Sequence, residues 1–354
     1  MPKPSKPRKG ERYSIDRSPL AQRATQRDVA GLLRETKEDL QTLATPRFKE
    51  QFIVRRTTES GGKVRNLVYP VGRLRAVHER LKFQFAKIVQ PSYLMSPRAG
   101  KAQRDNAAAH LRQVEYLTLD LKQFYPSTTR TMIRNSLVAQ FGMSADVAGL
   151  IAHLATADDK ACFGSPLTPV LASIVHRPMF DAIADLCAEY DLSYTVWVDD
   201  LTISGDCIPG DFRSCVRDIV SKSGLRSHKL KFRTGNRVVF VTGVGIVGAE
   251  LVVPRRLELR GKLLWEELSS AETYEEIDHG STRLLTHLGS IRHVVGKNSE
   301  RGQKIANEMN SVRQKREKIH RKYTAQIVAD SASIRHLTDE EKLARHDEIA
   351  AIPF

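Results

Sequence analysis

The sequence predicts an α/β (α+β) fold with a mostly antiparallel sheet, and three observations predict it. Strand-type and helix-type runs alternate between residues 114 and 250. The first strand run alternates strictly, with Leu117, Leu119 and Leu121 on one face and Tyr116, Thr118 and Asp120 on the other. From Arg256 onward the pattern turns helical and strongly charged. A chain of 354 residues with 41% hydrophobic content can bury a substantial core in two or three packed subdomains.

The elements are read in chain order. Residues 1–17 are rich in Pro, Lys and Arg and read as a flexible basic arm. A helix is expected from near Ser18, with Pro19 in its first turn and Val29, Leu32, Leu33 and Leu40 at helical spacing. Phe52 to Pro70 reads as a hairpin turned by Ser60-Gly61-Gly62 and lined by Arg55, Arg56, Lys63 and Arg65. A helical stretch, Gly72 to Val89, precedes a loop holding Pro91, Pro97 and Gly100. Val114–Leu121 is a strand, and residues 129–156 are helical in pattern. Gly164 to Pro169 is a turn launching a helix to about Tyr190. Residues 194–204 form a second hairpin, 211–224 a helix, and Arg237–Ile246 and Glu250–Val253 strands. Thr338 with Glu341 makes a capping-box pattern for a last short helix.

Composition narrows the function classes. The formal net charge is +15 and the pI about 9.7, which points to a polyanionic partner. No apolar run of about 18 residues exists, so no membrane span is expected. The basic start, Met1 to Gly10, lacks the apolar core of a signal peptide. Cys162, Cys187, Cys207 and Cys215 have no metal-type spacing and read as reduced thiols in a cytoplasm.

The chemistry concentrates in three carboxylates. Asp199-Asp200 falls between two strand runs, at a hairpin tip, and Asp120 ends another strand. Carboxylates on facing strands offer the hard oxygens that Mg²⁺ takes. Two such ions clamp the attacking and leaving oxygens of a phosphoryl transfer. On the residues alone, turn capping by Asp120 and plain tip polarity for Asp199-Asp200 remain the alternative.

The conjunction of motifs resembles a known family. Asp120 to Ser127 looks like the first palm motif of reverse transcriptases, and Trp197-Val198-Asp199-Asp200 like their aromatic-x-Asp-Asp motif. Gly164 to Pro169 resembles the Gly-centred motif between them. Asn106-Ala107-Ala108-Ala109-His110 and Val241-Thr242-Gly243 match motifs of the retron reverse transcriptases. The resemblance covers roughly residues 50 to 310. It implies a right-hand polymerase with fingers, an antiparallel-sheet palm and a helical thumb. The expected divisions are 1–50 (basic arm and helix), 51–113 (fingers), 114–253 (palm), 254–320 (thumb) and 321–354 (helical tail).

The resemblance also implies roles. Asp120, Asp199 and Asp200, with the Leu121 backbone, would hold two Mg²⁺ ions, with Mn²⁺ as a substitute. Arg65, with Arg55 or Arg56, would grip the triphosphate of an incoming dNTP, with Phe124, Phe163 and Gly164 nearby. Tyr125 takes the place of the steric gate against a 2′-OH; core packing beside Phe124 is its other reading. Lys229 would be a general acid on pyrophosphate, or a plain surface lysine. Asn106, His110, Val241, Thr242 and Gly243 would contact RNA; a satisfied buried histidine is the other reading of His110, and close backbone approach that of Gly243.

Two positions depart from the pattern. Phe163 stands where many reverse transcriptases carry Gln, and Trp197 replaces the commoner Tyr. The basic run Arg313 to Lys322 suits a duplex backbone or a solvated helix face. The implied activity is copying a cognate non-coding RNA into single-stranded DNA, primed from a guanosine 2′-OH to give branched RNA–DNA (msDNA). The implied setting is anti-phage defence in a bacterial cytoplasm, with a separate effector protein. The tail is too short for an RNase H domain, so a cellular RNase H would remove template. Another bacterial reverse transcriptase lineage, or a nucleic-acid scaffold restraining a toxic effector, stand as alternatives.

Overall fold

The structure, a computed structural model, describes residues 12–21, 25–60, 62–235 and 237–333. Contacts divide the chain between Gly235 and Asn236 into two compact units. That division falls before the expected 253/254 boundary, so the small sheet described last belongs to the second unit. Gly61, most of the basic arm and the Thr338–Glu341 capping box lie outside the described residues.

The first unit opens with helices α1 (Gln26–Leu32), α2 (Lys37–Ala44) and α3 (Pro46–Lys49). This corrects the single helix expected from Ser18, where a 3₁₀ turn (Ile15–Arg17) stands instead. Thr25 and Thr36 each accept a backbone N–H two or three residues into the next helix, and Arg34 between them is left-handed (φ 55°). Strands β1 (Ile53–Ser60) and β2 (Lys63–Pro70) pair from Ile53↔Pro70 to Ser60↔Lys63, the expected hairpin. Helix α4 (Gly72–Phe85) follows and buries Leu74, Val77, Leu81 and Phe85.

Strand β3 (Leu94–Ser96), helix α5 (Gln103–Ala108), strand β4 (Glu115–Leu121) and the short helix α6 (Phe124–Ser127) come next. The stretch read as one helix over 129–156 is two, α7 (Arg130–Phe141) and α8 (Ala145–Ala155). Gly142 ends the first in the left-handed region (φ 62°), where only a residue without Cβ is unstrained. Strands β5 (Thr156–Ala157) and β6 (Lys160–Ala161) make a minimal hairpin. Helices α9 (Thr168–Val175) and α10 (Arg177–Glu189) replace the single helix expected to Tyr190. Pro178 has no N–H to continue the first of them, so the chain breaks at His176.

Strands β7 (Ser193–Trp197) and β8 (Asp200–Gly205) form the second hairpin, followed by helix α11 (Phe212–Lys222) and strand β9 (Ser227–Thr234). The sheet runs β3-β7-β8-β4-β9, antiparallel except for β3 beside β7. Sequence reading missed both edge strands: β3 is three residues long among prolines, and β9 is mostly polar. One face of the sheet packs Leu117, Leu119, Val196, Leu201 and Ile203 against Phe180 and Ile183 of α10 and Phe212 and Val216 of α11. Burying each such side chain contributes about 1.5–3 kcal/mol. A second core joins α1, α2, α4, α7, α8 and α9.

The second unit begins with β10 (Val239–Val241), β11 (Val244–Val247) and β12 (Glu250–Val252), an antiparallel sheet in that order. The single strand expected over 237–246 is therefore a hairpin. Thr242 (φ 47°) and Gly243 (φ 86°) turn it, both left-handed as a two-residue hairpin loop requires. Helices α12 (Arg255–Ser269), α13 (Tyr274–Val295) and α14 (Glu300–Ser333) pack around Leu264, Leu284, Leu288, Ile305, Met309, Val312 and Ile319. Val312 and Ile319 flank and interrupt the basic run, so one stripe of α14 is apolar core and its charges occupy the remaining faces.

Candidate active site

Strand register brings the three carboxylates together. Asp120 on β4 lies directly opposite Asp200 on β8, and Asp200 pairs with Trp197 across the hairpin. Val198 and Asp199 form the two-residue tip. Val198 is left-handed (φ 62°), a costly state for a β-branched residue. Three backbone bonds hold it there. The Val198 N–H donates to the Ser96 carbonyl at 3.1 Å, the Val196 N–H to Tyr93 at 2.9 Å, and the Leu121 N–H to the Asp199 carbonyl at 2.8 Å. The tip is thereby tied both to β3 and to the end of β4.

Burial and mutual charge disfavour ionisation here. Burial raises the Asp200 carboxyl to about 6, helped by the negative charges of Asp199 and Asp120. Asp199 is also raised, by burial first and Asp120 second, against Lys229 and Arg65. Asp120 has two basic side chains beside it: Oδ2 lies 3.2 Å from His228 Nδ1 and 3.6 Å from the Lys229 ammonium Nζ. Lys229 is left-handed (φ 51°) beside the register shift where β9 meets Asp120. That irregularity turns consecutive residues 228 and 229 toward the same carboxylate.

A cleft of about 740 Å³ opens beside the tip. Val198, Asp199 and Arg65 of β2 border it, and Phe124, Tyr125, Phe163, Asp158 and Lys160 complete most of the wall. Tyr125 stands 5.5 Å from the Phe124 ring and 5.9 Å from the Phe163 ring. It therefore both packs beside Phe124 and lines the cleft. Burial, then the Asp199 charge, raises its phenol pKa. Phe163 is fixed by its carbonyl, which accepts the Val68 N–H of β2 at 2.8 Å. Gly164 is left-handed (φ 116°), and a Cβ there would stand 3.3 Å from Tyr69 Cβ.

Other expected site residues lie elsewhere. Arg55 faces Glu50 and Asp158, bonded to both carboxylates, the latter at 3.0 Å, and does not line the cleft. Its guanidinium pairs with these two carboxylates at the exposed surface. His110 lies just past α5 and is fully buried; Nδ1 is 2.6 Å from Ser204 Oγ and Nε2 2.7 Å from Thr195 Oγ1. Burial depresses it to about 4. It is a buried histidine whose ring bonds to both β7 and β8, and Asn106 is buried with it. Val241 is buried in the second unit, with Thr242 and Gly243 at the hairpin turn. A Cβ on Gly243 would meet open space, so the glycine answers the positive φ and not a close backbone approach. Sequence reasoning missed His228, Lys160 and Asp158. The first stood inside the quoted Ser227–Lys231 stretch, and the others in an unremarked turn.

The donor set is all hard oxygen, the chemistry of a Mg²⁺ or Mn²⁺ site, and its charges are crowded enough to raise two carboxyl pKa values. Among the described residues no three His, Cys, Asp or Glu side chains converge as ligands. Also among them, no helix is long and apolar enough to cross a membrane.

No family model matches the chain. Curated proteins similar to it include two retron reverse transcriptases. The retron Mx65 reverse transcriptase of Myxococcus xanthus is 28% identical over 252 residues, 63% of this chain and 58% of that protein. The retron Se72 reverse transcriptase of Salmonella heidelberg is 27% identical over 150 residues, 42% and 40% respectively. The chain thus spans less than two thirds of the relatives it matches. Among solved structures, apo telomerase of Candida tropicalis is 12% identical with TM-score 0.42, covering 62% of this chain and 61% of that one. Telomerase of Candida albicans with a TWJ fragment of telomeric RNA is 8% identical with TM-score 0.42, covering 85% and 66%. Neither likeness is close enough to assign anything. By its curated relatives, over up to 63% of its length, the chain is a sequence relative of the retron reverse transcriptases.

Proposed function

We propose that this protein is an RNA-directed DNA polymerase of the retron type. It copies a cognate structured non-coding RNA into single-stranded DNA, primed from a guanosine 2′-OH of that RNA to give msDNA. The observation that carries the reading is the register: Asp120 opposite Asp200, with Asp199 at the tip lining a cleft that Arg65 also lines. Negative charge and a guanidinium lining one cleft suit a triphosphate held against a metal-binding edge.

Two Mg²⁺ ions, or Mn²⁺, would be held by Asp120, Asp199, Asp200 and the Leu121 carbonyl, and would offset charge on the attacking and leaving oxygens. Arg65 orients the triphosphate with its planar fork. Lys229 offsets the carboxylate charge and can pass a proton to pyrophosphate. Tyr125 and Phe163 face the sugar and base. Phe124 and Gly164 set where those two rings stand. The partners are the RNA, dNTPs, a cellular RNase H and a separate effector protein, in an anti-phage role in a bacterial cytoplasm.

The test is dNTP incorporation by the purified protein on its native RNA with Mg²⁺. Incorporation is expected in the wild type and absent in Asp120→Asn, with the circular dichroism of the two unchanged. Undiminished synthesis by Asp120→Asn would remove the metal assignment.

A further inference from the structure

The cleft wall between the carboxylates and Arg65 is aromatic, and it is built in an unusual way. Tyr125 alone would be held on one side only, by Phe124 at 5.5 Å. Its other side meets Phe163 at 5.9 Å, with the planes at 43°. Both Tyr125 and Phe163 are half-buried and both line the cleft. The backbone at Phe163 is anchored: its carbonyl takes the Val68 N–H, and the next residue, Gly164, sits against Tyr69. The Ser165 hydroxyl behind it bonds to buried His78 at 2.6 Å. A polar side chain at 163 would reach into the cleft for hydrogen bonds. A phenyl ring cannot, and its contribution is contact with Tyr125.

We propose that Phe163 is a positioning residue that sets sugar selectivity, bracing the Tyr125 ring so that the wall rejects a 2′-hydroxyl. The proposal rests on the polymerase reading above. Without the brace, Tyr125 has room to turn toward the space the phenyl group leaves. A 2′-OH then fits where it was excluded, and ribonucleotides enter. An offset aromatic pair contributes about 0.5–1.5 kcal/mol beyond buried area, so selectivity should fall roughly two- to tenfold on losing it.

The experiment measures kcat/KM for dGTP and for GTP on the same primed RNA with Mg²⁺. Wild type, Phe163→Ala, Phe163→Tyr, Tyr125→Ala and the double variant Tyr125→Ala/Phe163→Ala are compared. Phe163→Ala should lower the dGTP/GTP ratio roughly two- to tenfold, chiefly through a lower KM for GTP. Phe163→Tyr, which keeps the ring, should restore the ratio. In the Tyr125→Ala background, removing Phe163 should change the ratio no further, because the brace acts through Tyr125. An unchanged ratio in Phe163→Ala, including equal loss of both nucleotides, overturns the proposal; so does an effect that adds in full to that of Tyr125→Ala. Should Phe163→Ala not fold, Phe163→Leu carries the same comparison. Absence of any incorporation by the wild type is a different failure, and falls on the polymerase reading.

Discussion

His110 gives a prediction that separates its structural role from any role in binding. Its ring is fully buried between Ser204 and Thr195, and burial lowers its pKa from 6.5 to about 4. Between those values the unfolded chain binds the proton and the folded chain does not. The stabilisation is therefore complete above pH 6.5 and is lost as pH falls toward 4. A shift of this size amounts to about 3 kcal/mol in full, of which about 2 kcal/mol is gone by pH 5. Gln at 110 can still bond to a hydroxyl but cannot titrate. The assay is urea denaturation of wild type and His110→Gln at pH 7.5 and pH 5.0. A Trp265→Phe background leaves Trp197, on the strand that His110 pins, as the fluorescent reporter. The wild type should lose about 2 kcal/mol more than the variant between the two pH values. Equal losses would refute the buried, neutral histidine and return His110 to a solvent-facing role.

Three other outcomes follow from named contacts. Lys49 is buried and donates from Nζ to the His153 and Thr156 carbonyls, each at 2.7 Å; Lys49→Met should cost about 2–4 kcal/mol by urea denaturation, as two carbonyls lose their partner. Gly164→Ala adds a Cβ 3.3 Å from Tyr69 at φ 116°; it should cost about 1–3 kcal/mol and raise KM for dNTPs, read by denaturation and steady-state kinetics. Arg65→Ala should raise KM for dNTPs roughly tenfold or more, a lost charge-assisted contact, while Arg55→Ala, removing an exposed pair, should leave KM near wild type.

What was legible in the sequence was what strong local rules dictate. The alternation of Leu117, Leu119 and Leu121 fixed both the strand and the face of Asp120. The strand runs around Asp199-Asp200 placed that pair at a hairpin tip. Helix breaks were lost where periodicity ran through them: Gly142 and His176 interrupt apolar patterns that continue on the far side. Strand β9 escaped because Ser227 to Thr234 is almost all polar and pairs with only one neighbour, β4, by main-chain bonds. The pairing of Arg55 was invisible because its partner Asp158 is 103 residues away. Spacing left two readings of His110 open; its burial and its bonds to Thr195 and Ser204 depend on partners that no spacing rule connects to it.

Buried histidines brace three elements beside the cleft, and this bears on how its geometry is held. His110 pins the two strands of the hairpin that carries Asp199. His176 bonds through Nε2 to Thr128 at 2.9 Å, and its ring lies 5.1 Å from Phe124, so it anchors the short helix bearing Tyr125. His78 bonds to Ser165 at 2.6 Å and to the Leu154 carbonyl at 2.8 Å, fixing the turn that presents Phe163 and Gly164. Burial lowers all three to about 4. A neutral imidazole both donates and accepts, so the rings of His78 and His110 each bond to two groups at once. An apolar side chain would fill the same volume without fixing orientation. These braces stand behind the hairpin tip, the Tyr125 helix and the Phe163 turn, the three elements whose mutual placement makes the cleft. Acid should therefore loosen the site's frame as well as protonate Asp199 and Asp200, whose carboxyls are already raised. Both effects act in one direction, growing as pH falls.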